Sequence, residues 1–472
     1  MSSTAADTGV AGAVEQALAR AQAAAQAKRF GEARGICEDL LATQPDLAPA
    51  LALLGMVAAH AGDIDRAIGL LERAVGRQPG VAAWYGNLCT LYRLVYRMQD
   101  ALNAGTHAVR LAPNHADYLV NLSLVFTDLD ERERAVACLL RALGVNAEHA
   151  DAHLALAQNL LALGEMEPGW IEYEWRNQTE AGRGQLPKIT SAPWNGMRIP
   201  TGRILLVGDQ GYGDTLQFAR YIPMVAERCQ EVILGCSSEM LSLLKRIPGV
   251  THAHHRWNEI PGHAAYCRLS SLPYLFQTTL ESIPSKVPYL HAEPSRVAAW
   301  KQRLATQLPH QVTRIGLGWS GRPTHPNDRR RSISLSRLAP LAAVGNCVFV
   351  SLQKPFPAAD VEFTGRFPGL VDLSESLSDF DETAALIANL DLVITVDTSI
   401  GHLAGALGKP VWIMLSKASD WRWLVNRDDS PWYPTVRLFR QPQPGEWNAV
   451  VSDVTKALAI LLASGNHEIA AQ

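Results

Sequence analysis

The sequence predicts an α-helical solenoid followed by two α/β halves, each built on a parallel sheet. Three observations predict this. Pro45, Pro79 and Pro113 recur every 34 residues through an apolar helical region. Residues 180–202 then interrupt the pattern with Gly, Pro and Ser. Beyond them, short apolar strands alternate with helical segments to the end of the chain. The 472 residues are enough for about three domains. A formal net charge of −3 excludes a strongly basic nucleic-acid binder and a disordered polyampholyte. The charge is uneven: residues 1–180 carry net −8 and residues 181–472 net +5. The second part therefore suits an anionic ligand.

Residues 1–13 carry no pattern and are expected to be disordered. They lack the basic flank and apolar run of a signal peptide, and no stretch is long and apolar enough to span a membrane. Seven cysteines, without a CxxC pair, read as free thiols rather than a disulfide framework or zinc site. A cytoplasmic location is the expectation. From residue 14 the repeats begin. Residues 48–81 carry Leu51, Leu54, Gly55, Ala58, Ala67, Leu71, Ala74 and Pro79. Residues 82–115 carry Tyr85, Leu88, Tyr92, Ala101, Ala108 and Pro113. Residues 116–149 carry Leu119, Leu122, Phe126, Ala135, Leu139 and Ala142, with Ala147 in the proline slot. The pattern resembles the tetratricopeptide repeat: two helices per unit, small residues where they cross, a neighbour to cover the apolar face. Residues 150–179, ending in Trp170, Tyr173 and Trp175, read as capping helices that dock the solenoid on the next domain, which sets a repeat domain of 14–179. Asn87 and Asn121 share one repeat position. They form either two rungs of a peptide-binding ladder, resembling that of O-GlcNAc transferase, or two solvated side chains.

After the 180–202 linker, RILLVG at 203–208 and VILGC at 232–236 are strands of a first half, 203–311. Residues 312–319, 347–352, 391–396 and 410–415 are strands of a second half, 312–472, closed by a helix over 449–463. The Pro-containing region 284–311 joins them. Two such Rossmann-like halves facing a cleft make the GT-B architecture, with ligands at the strand carboxyl ends.

Three loops carry chemistry. Gly208 to Thr215 follows a strand and opens a helix, so Gln210, Gly211 and Gly213 line the cleft on the acceptor side. Asp214 there is an N-terminal cap or a general base, and spacing alone favours the cap. The strand at 391–396 ends in Asp397-Thr398-Ser399-Ile400-Gly401-His402, whose hydroxyls and exposed N–H groups form a diphosphate cradle. His402 donates to a phosphate oxygen or is simply structural. The third loop holds Ser320, Arg330 and Arg331, a basic stretch able to bind phosphate, with Lys354 after the next strand. Asp379-Phe380-Asp381 looks like a metal-binding DxD, but Asp379 with Glu382 reads better as a capping pair, and no metal site is assigned. Trp421, Trp423 and Trp432 suit either a sugar-binding face, with Trp421 at the cleft, or an aromatic core plug.

Taken in series, VGDQGYGDTLQFARYIP, GWSGRPTHPNDRRRSISLSRL, SLQK, TVDTSIGHLAGALGKPVWIML and DWRWL…DDSPWYPTVRLFRQ resemble bacterial tetratricopeptide-repeat glycosyltransferases. Their catalytic module is similar to that of family 9, the heptosyltransferases. The resemblance covers nearly all of residues 203–441. It implies a metal-independent GT-B enzyme with a nucleotide-diphosphate sugar as co-substrate and no other cofactor. It also implies that Asp214 is the base, and that Asp397, Thr398 and His402 belong to the diphosphate loop. Ser399 stands where that loop has a glycine, and Arg330 or Arg331 takes the place of a lysine. The expected function is sugar transfer to an acceptor, a protein recruited by the repeats. The alternatives are a lipopolysaccharide or glycolipid transferase whose repeats recruit partners, and a non-catalytic scaffold.

Overall fold

A computed structural model describes residues 3–464 apart from 185, 187, 188 and 326, with backbone alone for residues 3–11. The chain divides into two compact units, Met1–Leu156 and Ala157–Gln472. The division falls inside a helix, well before the end at 179 that the sequence predicts for the repeat domain.

The first unit is a run of helix pairs. They are α1 (Ser3–Gln26) with α2 (Phe30–Thr43), α3 (Ala48–His60) with α4 (Ile64–Arg77), α5 (Ala82–Leu94) with α6 (Met98–Leu111), and α7 (Ala116–Asp128) with α8 (Arg132–Val145). The first residue of α9 (Ala150–Leu163) follows the same spacing. α1 begins inside the stretch 1–13 expected to be disordered. Pro45, Pro79 and Pro113 each sit in the turn between one pair and the next, where a missing N–H costs nothing. Leu51, Ala67, Leu71, Leu88, Tyr92, Ala101 and Val125 form one buried strip through three pairs. Asn87 and Asn121 lie half-exposed on α5 and α7.

The second unit holds two all-parallel sheets. The first contains β1 (Ala192–Pro193), β2 (Ile199–Val207), β3 (Cys229–Gly235), β4 (Val250–His254) and β5 (Ala265–Arg268), in the order β1-β5-β2-β3-β4. The second contains β6 (Thr313–Gly318), β7 (Cys347–Ser351), β8 (Leu370–Val371), β9 (Leu392–Val396), β10 (Val411–Leu415) and β11 (Val436–Arg440), in the order β11-β10-β9-β6-β7-β8. Helix Trp447–Ala463 closes the second core, where Val450, Val454 and Leu458 meet Leu317, Ile394 and Met414.

Three boundaries differ from the sequence expectation. The linker at 180–202 contains β1 and the first residues of β2, and the Trp194 N–H donates to the Tyr266 carbonyl at 2.7 Å. Its Gly and Pro residues mark an edge strand and a bend rather than a free tether. The joining region contains helix Pro294–Gln307, capped by Glu293. That helix packs on the second half, with Trp300 Nε1 donating to Glu382 at 2.7 Å and Arg296 paired to Asp379 at 2.8 Å. Finally, α10 (Met166–Tyr173) and the turn after it are built into the α/β unit. Trp170 is buried, donates to the Thr278 carbonyl at 2.9 Å and packs edge-on to Trp421 and Trp432.

A polar seam joins the two sheets' layers. Arg246 of the first half pairs with buried Asp381, and Ser242 donates to Asp379 at 3.0 Å. Asp379 also caps helix Phe380–Ala388 by accepting from the Glu382 N–H. The Asp379-Phe380-Asp381 motif is thus spent on a cap and on arginines, as the capping reading expects.

Candidate functional site

The site is built where the carboxyl ends of β2 and β9 face each other. β2 runs into Gly208, whose missing side chain leaves room for Thr215 at 3.0 Å. Asp209 turns inward and accepts from the Ser270 hydroxyl at 2.6 Å. Gln210 takes a positive φ of 64° and is exposed, which turns the chain into helix Tyr212–Phe218. Asp214 stands in the first turn. Its Oδ2 accepts the Gly211 N–H at 3.0 Å, so the capping role is real. Its Oδ1 accepts from the Arg422 guanidinium, so the cap is not its whole role.

From the other side, β9 delivers Asp397 and the N-cap Thr398 to helix Ser399–Ala406. The Thr398 hydroxyl makes no capping bond and lies 3.3 Å from Thr395 Oγ1. The first-turn N–H groups therefore keep the anion-binding character of a helix start. A side chain on Gly401 would lie 3.0 Å from Ile413, so the glycine lets this helix sit close on the sheet. Ser399 is half-buried beside them.

His402 joins the two loops. A methyl group on Gly213 would lie 2.8 Å from His402 Cδ2 and 3.3 Å from its Nε2, so only glycine permits this approach. The imidazole stacks on Trp423 with ring centroids 5.2 Å apart, and its Nδ1 is 2.9 Å from the Tyr433 hydroxyl. Burial, reinforced by the charge of Arg422, lowers its pKa to about 3. His402 is therefore neutral at physiological pH.

Arg422 is the residue that local sequence patterns pass over. It stacks on Trp421 at 4.2 Å, donates through Nε to Gln217 at 2.6 Å and through Nη1 to Asp420 at 2.7 Å, and reaches Asp214 through Nη2. Burial raises the Asp214 carboxyl above its usual range, and Arg422 works against that rise. Asp420 resists the same burial and is held low by Arg422. For Asp397 the balance goes the other way: burial, then the charge of Asp420, push it up to about 6, against the opposing pull of Arg331 and Arg422. Arg331 also acts on Asp397 and His402.

The third loop is pinned by the residue before Lys354. Buried Gln353 accepts the Trp319 and Ser320 N–H groups through Oε1, at 3.1 and 3.0 Å. Ser320 Oγ is enclosed and has no hydrogen-bond partner among the described residues. The Arg331 guanidinium folds over Gly321, where a side chain would lie 2.6 Å from Nη2.

The structure thus brings together Asp214, His402, Asp397 and Arg331, with Thr398, Ser399 and Gly401 in the same loop. Arg330 sits half-buried beside Arg331. Lys354 is exposed and donates to the Leu377 carbonyl. Trp421 is not a cleft surface: it is 2% exposed and packs against Trp170, Tyr173 and Phe218, so the core-plug reading holds.

Comparison with known proteins agrees with both parts. Residues 24–92 match the tetratricopeptide repeat model, and residues 377–421 match the model of glycosyltransferase family 9 (heptosyltransferase). The second match spans Asp397 to His402 and stops one residue before Arg422. The chain is 28% identical to Protein FlbA of Caulobacter vibrioides over 433 residues, 84% of this chain and 70% of that protein. A crystal structure of MamA aligns at 18% identity, covering 34% of this chain and 95% of that one, with a TM-score of 0.32. YrrB, a TPR protein with an unusual peptide-binding site, aligns at 14% identity over 35% of this chain and 85% of its own, with a TM-score of 0.31. Among the described residues, no helix is long and apolar enough to cross a membrane.

Proposed function

We propose that this tetratricopeptide-repeat chain, with its family 9 glycosyltransferase segment, moves a sugar from a nucleoside-diphosphate donor to a hydroxyl of a protein acceptor recruited by the repeats. The observation that carries the reading is the meeting of Asp214 with the Asp397–His402 loop, through Gly213 and Arg422. A base and an anion cradle then lie on opposite sides of one cleft.

In this reading the acceptor oxygen attacks the anomeric carbon as the bond to the diphosphate breaks. The electron pair of that bond leaves with the diphosphate, and the acceptor's proton passes to Asp214. Charge develops on the leaving group, so its stabilisation is the larger requirement. The N–H groups of Ser399 and Ile400, the Thr398 hydroxyl and Arg331 supply it. His402 contributes as a neutral donor. With the Tyr433 hydroxyl donating to Nδ1, the imidazole proton sits on Nε2, which faces the loop of Gly213. A general base contributes roughly 10²–10⁴-fold.

The test is a calorimetric screen of nucleoside diphosphates and their sugars, followed by turnover with the donor that binds. Asp214→Asn keeps the size of the side chain and removes proton acceptance. It should bind donor like the wild type and lose about 10²–10⁴-fold in turnover. Retained turnover in Asp214→Asn, or no binding by any nucleotide, would overturn the reading.

A further inference from the structure

We propose that Arg422 is a positioning residue for Asp214: reaching from the second half, it holds that carboxylate fixed and paired at the cleft, and does so only while the two halves are closed on each other. The inference rests on the reading of Asp214 as the base, and it adds a residue and a condition that the reading does not contain.

The geometry carries it. Asp214 and Gln217 belong to helix Tyr212–Phe218 of the first half, and Arg422 and Asp420 to the turn after β10 in the second. Arg422 spends each face of its guanidinium on a different partner: Nε on Gln217, Nη1 on Asp420 and Nη2 on Asp214. Its plane is held against the Trp421 ring at 4.2 Å. A planar fork fixed in this way orients a carboxylate, where a flexible ammonium would only attract it. Asp214 Oδ2 is held by the Gly211 N–H, so the two bonds together fix the rotation of the carboxyl group.

The charge balance gives this fixing a consequence. Asp214 is faced by Arg422 and Asp420 from the turn after β10, and by Asp209 from its own loop. Tyr173 at the end of α10 and His325 of the basic loop lie within its field. Arg422 favours the ionised form of Asp214, and Asp420 and Asp209 act with the burial against it. Losing Arg422 would shift Asp214 further toward its protonated form. When the halves part, Asp214 loses the guanidinium because the cation is carried by the other half. Proton acceptance is thereby tied to closure.

Two measurements test this. Full-length protein carrying [4-¹³C]aspartate is titrated by NMR, and the Asp214 signal is identified by its loss in Asp214→Asn. Arg422→Gln should raise the Asp214 midpoint by about 1–3 pH units, the usual effect of a neighbouring arginine. Arg422→Lys should restore the charge and most of the midpoint but not the turnover, because the fork is lost. Asp420→Asn should lower the midpoint, and it provides the test if Arg422→Gln does not fold. An Asp214 midpoint unchanged in Arg422→Gln, or unchanged in Asp420→Asn, would overturn the proposal. The second measurement is the pH profile of donor turnover, whose acid limb should move with the midpoint. If no donor is turned over at all, the functional reading fails while the titration still reports on Arg422.

Discussion

His402 shows how one enclosed side chain makes a pH-dependent contribution. The folded chain refuses the imidazole a proton until about pH 3, while the unfolded chain accepts it near the ordinary value of 6.5. Between those values the unfolded state binds the extra proton, so stability falls as pH falls below 6.5 and is fully present above it. The expected slope from this group is about 1.4 kcal/mol per pH unit. Denaturant melts at pH 7 and pH 5 check it: the loss on acidification should be smaller in His402→Gln than in the wild type, and an equal loss would remove the effect. The histidine itself was legible from its place on the first turn after an apolar strand. Arg422 was not, although it stands between two tryptophans in plain view. Its partners Gln217 and Asp214 lie 205 and 208 residues away, and no local spacing encodes such a pairing.

At the scale of elements, the buried strands were readable because parallel strands covered on both faces are continuous apolar runs. RILLV and DLVITV are of this kind. β4 (VTHAH) and β5 (AYCR) are short and partly polar, and β1 is two residues long, so their pairing is set by the sheet and not by their own pattern. The same contrast separates glycines. A Cβ on Gly213 would lie 2.8 Å from the His402 ring, and His402 is wedged between Trp423 and Tyr433. Gly213→Ala should overpack this contact and cost roughly 1–3 kcal/mol. Gly76, inside α4 with nothing within 4 Å, is the control. There Ala should be neutral or stabilise by up to about 1 kcal/mol. Thermal melts of the two variants read both signs, and a harmless Gly213→Ala would mean the two helix starts are not in contact.

At the scale of the molecule, two compact units imply two separable tasks. Removing residues 1–149 takes away the helix pairs and none of the groups around Asp214 and His402. The shortened chain should bind the selected nucleoside diphosphate with unchanged Kd. Transfer to a protein acceptor should fall sharply, because the repeats supply effective concentration and not chemistry. Full transfer to that acceptor by the shortened chain would assign acceptor binding elsewhere. The repeat architecture was legible from the proline register alone. Its end was not: Trp170 and Tyr173 continue the helical pattern, and only their tertiary partners assign them to the α/β unit.

That assignment bears on how the chain is made. Synthesis delivers Trp170 and Tyr173 early, together with the helices before them. The Thr278 carbonyl that takes the Trp170 indole N–H comes 108 residues later, and Trp421 and Trp432 later still. At about 5–20 residues per second, the ring of Trp170 waits on the order of 10–50 s for its final neighbours. During that interval the nascent chain carries a bare aromatic face just beyond its helix pairs. The segment that makes the α/β unit whole thus waits on the nascent chain until nearly all of that unit has been made.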